Sequence, residues 1–316
     1  MSQVRRVKTG LRCITALAVF VLIAGCNSQG VRQDATDNGF GALGDPTSKL
    51  AYATALPAAT AQEVALRGDV ALARGDTKRA LFEYLQALQL GGADPGILYT
   101  VAKIHLLRED RARAELALKM VLNVQPEHAG ANLELGVLCV HRREFETAES
   151  YLRRSLDEAE VNPRANNAMG VINDVKGDHA AARLHFEKAI AAAAQEPTYK
   201  NNLAYSYYLD GNLQMAEKWF RQALMQKPDY SRAWRNLGLV YARTSRYQEA
   251  LEAFGKIENV YEAYNDIGYI AMVNERYDDA QRFFEEAIRL SPIYYELAGR
   301  NAERLGVMRG TAPAVR

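Results

Sequence analysis

The chain has 316 residues, 48% of them hydrophobic and 24% charged, which supplies a substantial core and excludes a chain disordered throughout. Its formal net charge is +1; without the first 25 residues, which hold Arg5, Arg6, Lys8 and Arg12 but no acid, 35 basic residues face 38 acidic ones, a net of −3. That balance excludes a nucleic-acid binder held by charge.

Residues 1–25 present the parts of a secretory signal in order: the basic stretch "RRVKTGLR", the apolar run "ITALAVFVLIAG", then small residues. The run of 12 residues is shorter than the roughly 18 needed to span a bilayer, so a cleaved signal is predicted. "LIAGC" resembles the bacterial lipobox, with Leu22 or Ile23, Ala24 and Gly25 preceding Cys26. The resemblance implies cleavage before Cys26 and acylation of its thiol, giving a lipid anchor to a membrane. No cofactor is expected beyond that covalent lipid. Cys13 leaves with the signal and Cys139 stays as the single free thiol, so neither a disulfide nor a zinc site is predicted.

Residues 26–59, rich in Gly, Ala, Ser, Thr, Asn and Asp, show no sustained helical period and are expected to be a flexible tether. Over the 34 residues from Cys26 to Thr60 such a chain has an end-to-end distance of roughly 30 to 35 Å. At Thr60–Glu63, "TAQE" has the spacing of a capping box and marks where helical periodicity begins.

An internal repeat governs the rest. The small residues Gly68, Ala102, Gly136, Gly170, Ala204, Gly238 and Gly268 are separated by 34, 34, 34, 34, 34 and 30 residues. Twelve residues after each stands an alanine: Ala80, Ala114, Ala148, Ala182, Ala216, Ala250 and Ala280. Sixteen residues after the small residue comes an aromatic in five units, Tyr84, Phe186, Phe220, Phe254 and Phe284. Two antiparallel amphipathic helices approach closely only where their crossing carries Gly or Ala, and the aromatic is expected to fill the wedge between one unit and the next. Unit two lacks the aromatic, unit three puts Tyr151 one position early, and unit six is four residues short in its second helix, near Gly255.

This pattern resembles the tetratricopeptide repeat over about residues 61–294. The most faithful copy, "AWRNLGLVYARTSRYQEALEAF", has Trp234, Leu237, Gly238, Tyr241, Ala250 and Phe254 where that family has its signature residues. The resemblance implies an all-α fold, a right-handed superhelix of about seven helix-turn-helix repeats over residues 60–294. A capping helix follows at residues 295–309, where Leu297, Ala298, Ala302 and Leu305 fall at helical spacing, and a tail at 310–316.

No catalytic constellation stands out. The five histidines, His105, His128, His141, His179 and His185, form no metal-binding pair of the HExxH kind, there is no phosphate-cradling loop, and no serine lies in a GxSxG turn. A non-enzymatic protein that binds other proteins is predicted, with neither nucleic acid nor a small-molecule substrate as ligand. In the resembled architecture the first helix of each unit lines the inner surface. Spacing places Arg164 and Asn167 there in unit four and Asn201, Asn202, Tyr205 and Tyr208 in unit five; Arg232, Arg235 and Asn236 follow in unit six, and Asn265, Asp266 and Tyr269 in unit seven. Amides suit an extended peptide, tyrosines add rigid apolar area, and arginines suit carboxylates. The same asparagines can instead cross-brace neighbouring units. Units one and two offer mainly apolar or small residues at these positions, such as Ala65, Leu72, Leu106 and Leu107, so a peptide or partner helix is expected toward the C-terminal half.

Lipobox, tether and repeats together resemble the bacterial repeat lipoproteins. "NNLAYSYYLDGNLQMAEKWFRQAL", "AYNDIGYIAMVNERYDDAQRFFEEAI" and "LSPIYYELAGRNAERL" are similar to the TadD lipoprotein family of the Flp (tight adherence) pilus system. That resemblance implies a role in pilus biogenesis, with the pilus secretin or other assembly components as partners. With Asn27, and not an aspartate, after the cysteine expected to be acylated, the resemblance to bacterial lipoproteins implies the periplasmic face of the outer membrane. The alternatives are a pilotin-like protein of type IV pili and an adaptor for peptidoglycan enzymes.

Overall fold

The computed structural model describes residues 39–44, 60–158, 161–293 and 295–310. It divides into two compact units, residues 1–172 and 173–316, with the boundary inside one helix. The first holds a 3-10 turn, Phe40–Leu43, and helices α1 (Ala61–Ala73), α2 (Thr77–Gly91), α3 (Pro95–Leu107), α4 (Arg111–Val124), α5 (Ala129–His141) and α6 (Phe145–Glu158). Helix α7 (Pro163–Lys176) carries the boundary. The second unit continues with α8 (His179–Ala192), α9 (Pro197–Leu209), α10 (Leu213–Gln226), α11 (Ser231–Arg243), α12 (Tyr247–Phe254), α13 (Val260–Val273), α14 (Tyr277–Leu290) and α15 (Glu296–Arg309). Among the described residues there are seven helix pairs, a closing helix and no strand.

The pairs form for local reasons. Helix α1 opens on the predicted box: Thr60 Oγ1 accepts from the Glu63 amide at 3.3 Å and the Glu63 carboxylate accepts from the Thr60 amide at 2.9 Å. Between the helices of each pair, the residue seven after the small one has positive φ: Gly75, Glu109, Arg143, Gly177, Gly211, Ser245 and Glu275. The next residue caps the second helix in four units, where Asp76, Asp110, Asp178 and Asn212 each accept an amide hydrogen bond three residues on, at 3.0 to 3.1 Å. This left-handed turn escaped the sequence reading, which assigned the recurring glycines to helix packing alone.

The repeated alanines are all fully buried. The side chain sixteen residues after the small one lies against the small residue of its own unit, not only in a wedge toward the next. A Cβ on Gly68 would stand 2.7 Å from the Tyr84 ring, and one on Gly238 or Gly268 would stand 2.8 Å from Phe254 or Phe284. In unit three the residue in this place is Leu152, 2.7 Å from a Cβ on Gly136, and not Tyr151. Leu118 occupies the position in unit two, so the repeat asks for a bulky apolar group and not for a ring.

One expectation is corrected. The tether does not run without structure from 26 to 59: Phe40 and Leu43 are buried in the core of the first unit beside Leu81, Leu88 and Leu118. Two apolar residues three apart suffice for a 3-10 turn to seat, too short a signal to show as periodicity. In the closing helix Ala298 and Leu305 are buried while Leu297 is exposed, because only one face meets α13 and α14. The signal, Cys26 and the tail 311–316 lie outside the described residues.

Candidate functional site

In the second unit the first helices α9, α11 and α13 and the closing helix α15 are successive neighbours. Their side chains interlock in one register. Asn236 Nδ2 donates to Asn201 Oδ1 at 3.1 Å, Arg235 lies 3.7 Å from Asp266, and Asn301 Nδ2 donates to Asn265 Oδ1 at 2.9 Å. The residue three before the small one in a unit meets the residue two before it in the next unit. Asn201 and Asn265 are only 1% and 2% exposed and serve as braces between helices, a correction to their placement on the binding face. A buried amide needs a partner, and the following helix supplies it.

The remaining candidates flank this ladder. Tyr205 and Tyr208 are half-buried and stacked with ring centroids 5.8 Å apart, and burial raises the pKa of both phenols, Tyr205 to about 12. The Arg243 guanidinium sits 5.1 Å over the Tyr208 ring and donates to the Tyr208 carbonyl at 3.2 Å, fixing its orientation. Asn202 is half-buried and accepts from Asn201 at 3.3 Å. Tyr269 is half-buried and packs on the cluster of Met272, Phe284 and Leu305. Arg232 is exposed, with no ion pair among the described residues. In the first unit Arg164, six residues before the small position, makes a bidentate pair with Glu134 at 2.6 and 2.9 Å, and Asn167 is half-buried. Arg232 stands at the same position in its own unit, where the residue equivalent to Glu134 is Asn202, which leaves its charge available.

The shortened sixth unit adds a residue that the sequence reading missed. Helix α12 has 8 residues where α10 and α14 have 14. The chain then turns on the Phe254 carbonyl, which accepts from the Ile257 and Glu258 amides at 2.9 and 3.1 Å, and this turn delivers Glu258 to Arg235 at 3.3 Å. The Glu258 side chain is 8% exposed and its Oε1 has no hydrogen-bond partner. Burial first, and then the Asp266 charge, push its pKa up to about 7 against the pull of Arg235. Asp266 is also raised, mainly by burial, and Tyr295 is raised to about 12 by burial and the nearby carboxylates. Only a lost stretch of helix with a glutamate after it could have signalled this in the sequence.

A serine, an aspartate and a histidine also come together where α7, α8 and α9 meet. Ser206 Oγ donates to Asp174 Oδ1 at 2.7 Å and His179 Nδ1 reaches the same oxygen at 2.8 Å. Both groups face one carboxylate oxygen, no imidazole faces the hydroxyl, and Ser206 is fully buried, so the trio ties helices together and cannot act on a substrate. Among the described residues no three His, Cys, Asp or Glu side chains are grouped to hold a metal ion. Cys139 is a buried free thiol whose pKa is raised by burial.

Comparison with known proteins adds the decisive observation: the sequence matches the tetratricopeptide repeat at residues 102–163, 195–263 and 261–294, together just over half of the chain. The chain belongs to the tetratricopeptide repeat family. Its tetratricopeptide fold is shared with a repeat protein from Parabacteroides merdae, at 15% identity and a TM-score of 0.55 over 78% of this chain and 98% of that one. PilF of Pseudomonas aeruginosa is similar at 18% identity and a TM-score of 0.51, over 66% of this chain and 97% of that one. PilW, described as a widely conserved type IV pilus biogenesis factor, matches at 18% identity and a TM-score of 0.50 over 70% and 97%. Among curated proteins, the BBSome complex member BBS4 of Bos taurus is 24% identical over 194 residues, 60% of this chain. The chain spans 37% of that relative's length. As in other tetratricopeptide arrays, what the geometry offers is protein binding: rigid aromatic area, one available guanidinium, and a cluster of Arg235 and Asp266 on successive first helices with Glu258 from the turn before α13.

Proposed function

We propose that this tetratricopeptide protein is a non-enzymatic scaffold, anchored by a lipid on Cys26 at the periplasmic face of the outer membrane, that holds extended segments of pilus assembly proteins in the Flp system. The observation that carries the binding reading is the run of Tyr205, Tyr208, Arg232 and Arg235 along α9 and α11, on helices already braced by Asn201 and Asn236. A braced face loses little conformational freedom when it takes a ligand. The lipobox-like "LIAGC" supports the anchor, and among the described residues no helix is long and apolar enough to cross a membrane. The likeness to PilW makes a type IV pilus system the second reading.

The test is a pull-down from crosslinked cell envelope with the tagged full chain. Recovery of a secretin and pilus proteins supports the proposal, and their identity separates the Flp from the type IV system. Recovery of cell-wall enzymes alone overturns the pilus reading and leaves the adaptor. Recovery of the same partners by a chain carrying Arg232→Glu and Tyr208→Ala overturns the binding face.

A further inference from the structure

The 3-10 turn Phe40–Leu43 lies outside the repeats yet is seated on them, against α2 and α4, the second helices of units one and two. Phe40 is 5% exposed and Leu43 is fully buried. At this spacing a 3-10 turn eclipses the two side chains, so both enter the same surface. Gly39, with φ of +80°, turns the chain in, and a Cβ on it would lie 3.9 Å from Met120; a Cβ on Gly44 would lie 3.4 Å from Leu85. One polar contact fixes the backbone: His105 Nε2 donates to the Leu43 carbonyl at 2.8 Å.

The receiving surface is built for this contact and not by the repeat. Leu85 and Met120 stand seventeen and eighteen residues after the small positions of their units, on the outer side of the second helices. The equivalent places in later units are charged in eight of ten cases, Arg153, Glu187, Arg221 and Glu285 at the first and Arg154, Lys188, Lys256 and Glu286 at the second, with Gly255 and Gln222 in the other two. The second unit completes the same register of helix pairs with no such segment among its described residues. The architecture therefore does not need the turn, whereas two outer positions have been made apolar where it lies.

We propose that the surface between α2 and α4 is a binding site for short segments of partner proteins with an aromatic residue followed three positions later by a branched aliphatic one, and that residues 39–44 are its resident competitor. Recognition rests on two apolar side chains and one carbonyl, which any chain with that spacing can present. Because the resident segment is covalently joined to the array, it competes intramolecularly, and an incoming segment must exceed its effective concentration. The site is separate from the face of α9 and α11 and stands or falls independently of it.

The test uses a fluorescent peptide of residues 36–46, "TDNGFGALGDP", titrated by anisotropy against the full chain and against the full chain carrying Phe40→Ala and Leu43→Ala. The expected result is saturable binding to the variant, at least about tenfold weaker binding to the unaltered chain, and loss of binding when Met120→Glu is added to the variant. A variant that keeps its helicity and does not bind overturns the proposal, since the turn is then a fixed part of the fold. The unaltered protein gives a second measurement that no loss of folding can obscure: excess unlabelled peptide should speed hydrogen exchange of residues 39–44, where the Gly44 amide is held by the Gly41 carbonyl at 3.1 Å. Unchanged exchange at saturating peptide overturns it equally.

Discussion

Asn236 donates its side-chain amide to the side-chain oxygen of Asn201 at 3.1 Å, across 35 residues of sequence, and the acceptor is all but sealed from water. This bond joins the first helices of units five and six and holds the faces of α9 and α11 in fixed relation. Replacing Asn236 by alanine leaves a buried oxygen without a donor, at a cost of about 1 to 3 kcal/mol, whereas replacing both asparagines by leucine costs less than the single change. Urea unfolding followed by circular dichroism measures the difference. A single substitution as mild as the double one would show that water replaces the lost donor.

The left-handed position in every pair gives a second expectation. Gly211 has φ of +82°, and Gly211→Ala should destabilise by about 1 kcal/mol. Glu275 holds φ of +61° with a side chain present, so Glu275→Gly should stabilise by about 0.5 to 1 kcal/mol. Opposite signs of the shift in thermal midpoint are the readout.

Gly238 leaves no space for a methyl group, since the Phe254 ring would lie 2.8 Å from it. Gly238→Ala should cost about 1 to 2 kcal/mol through overpacking, the low end being set by unit five, where Ala204 and Phe220 coexist. Adding Phe254→Leu recreates the combination of Ala102 and Leu118 in unit two, and the double variant should be more stable than the two single losses sum to. A thermodynamic cycle checks the coupling.

Glu258 makes stability depend on pH. Its pKa rises from the ordinary 4.5 to about 7 in the folded chain, so the folded state holds a proton that the unfolded state has released. The stability this gives is fully present below about 4.5 and is lost as pH rises through about 7. Glu258→Gln should therefore flatten the stability profile between those values and gain about 1 to 3 kcal/mol at pH 8. Chemical denaturation across that range, compared with the unaltered chain, is the measurement.

Cys26→Ser removes the proposed acylation site, and fractionation should then find the protein in the soluble periplasm. A variant that stays in the membrane fraction with its signal removed would show that another feature anchors it.

The repeat was legible because each unit must solve the same packing problem. Every crossing needs a small residue, a buried alanine and a bulky side chain at fixed distances, so Gly68, Ala80 and Tyr84 announced a pattern that Gly268, Ala280 and Phe284 repeat. The cap at Thr60 and the short second helix of unit six were legible for the same reason, since both are local in sequence. The roles of the candidate side chains were not. Asn201 and Asn202 are adjacent in sequence and both polar, yet one is a sealed brace and the other half-open, a difference set by which of them faces α11.

What the sequence determined by itself is therefore the all-helical repeat, its register and its closing helix, because these follow from periodic contacts between near neighbours. Only the tertiary structure decided the pairing of Arg164 with Glu134, the delivery of Glu258 to Arg235, and the seating of Phe40 and Leu43 on α2 and α4. Each of these joins residues more than twenty apart with no recurring spacing, and such contacts exist only once the helices have stacked.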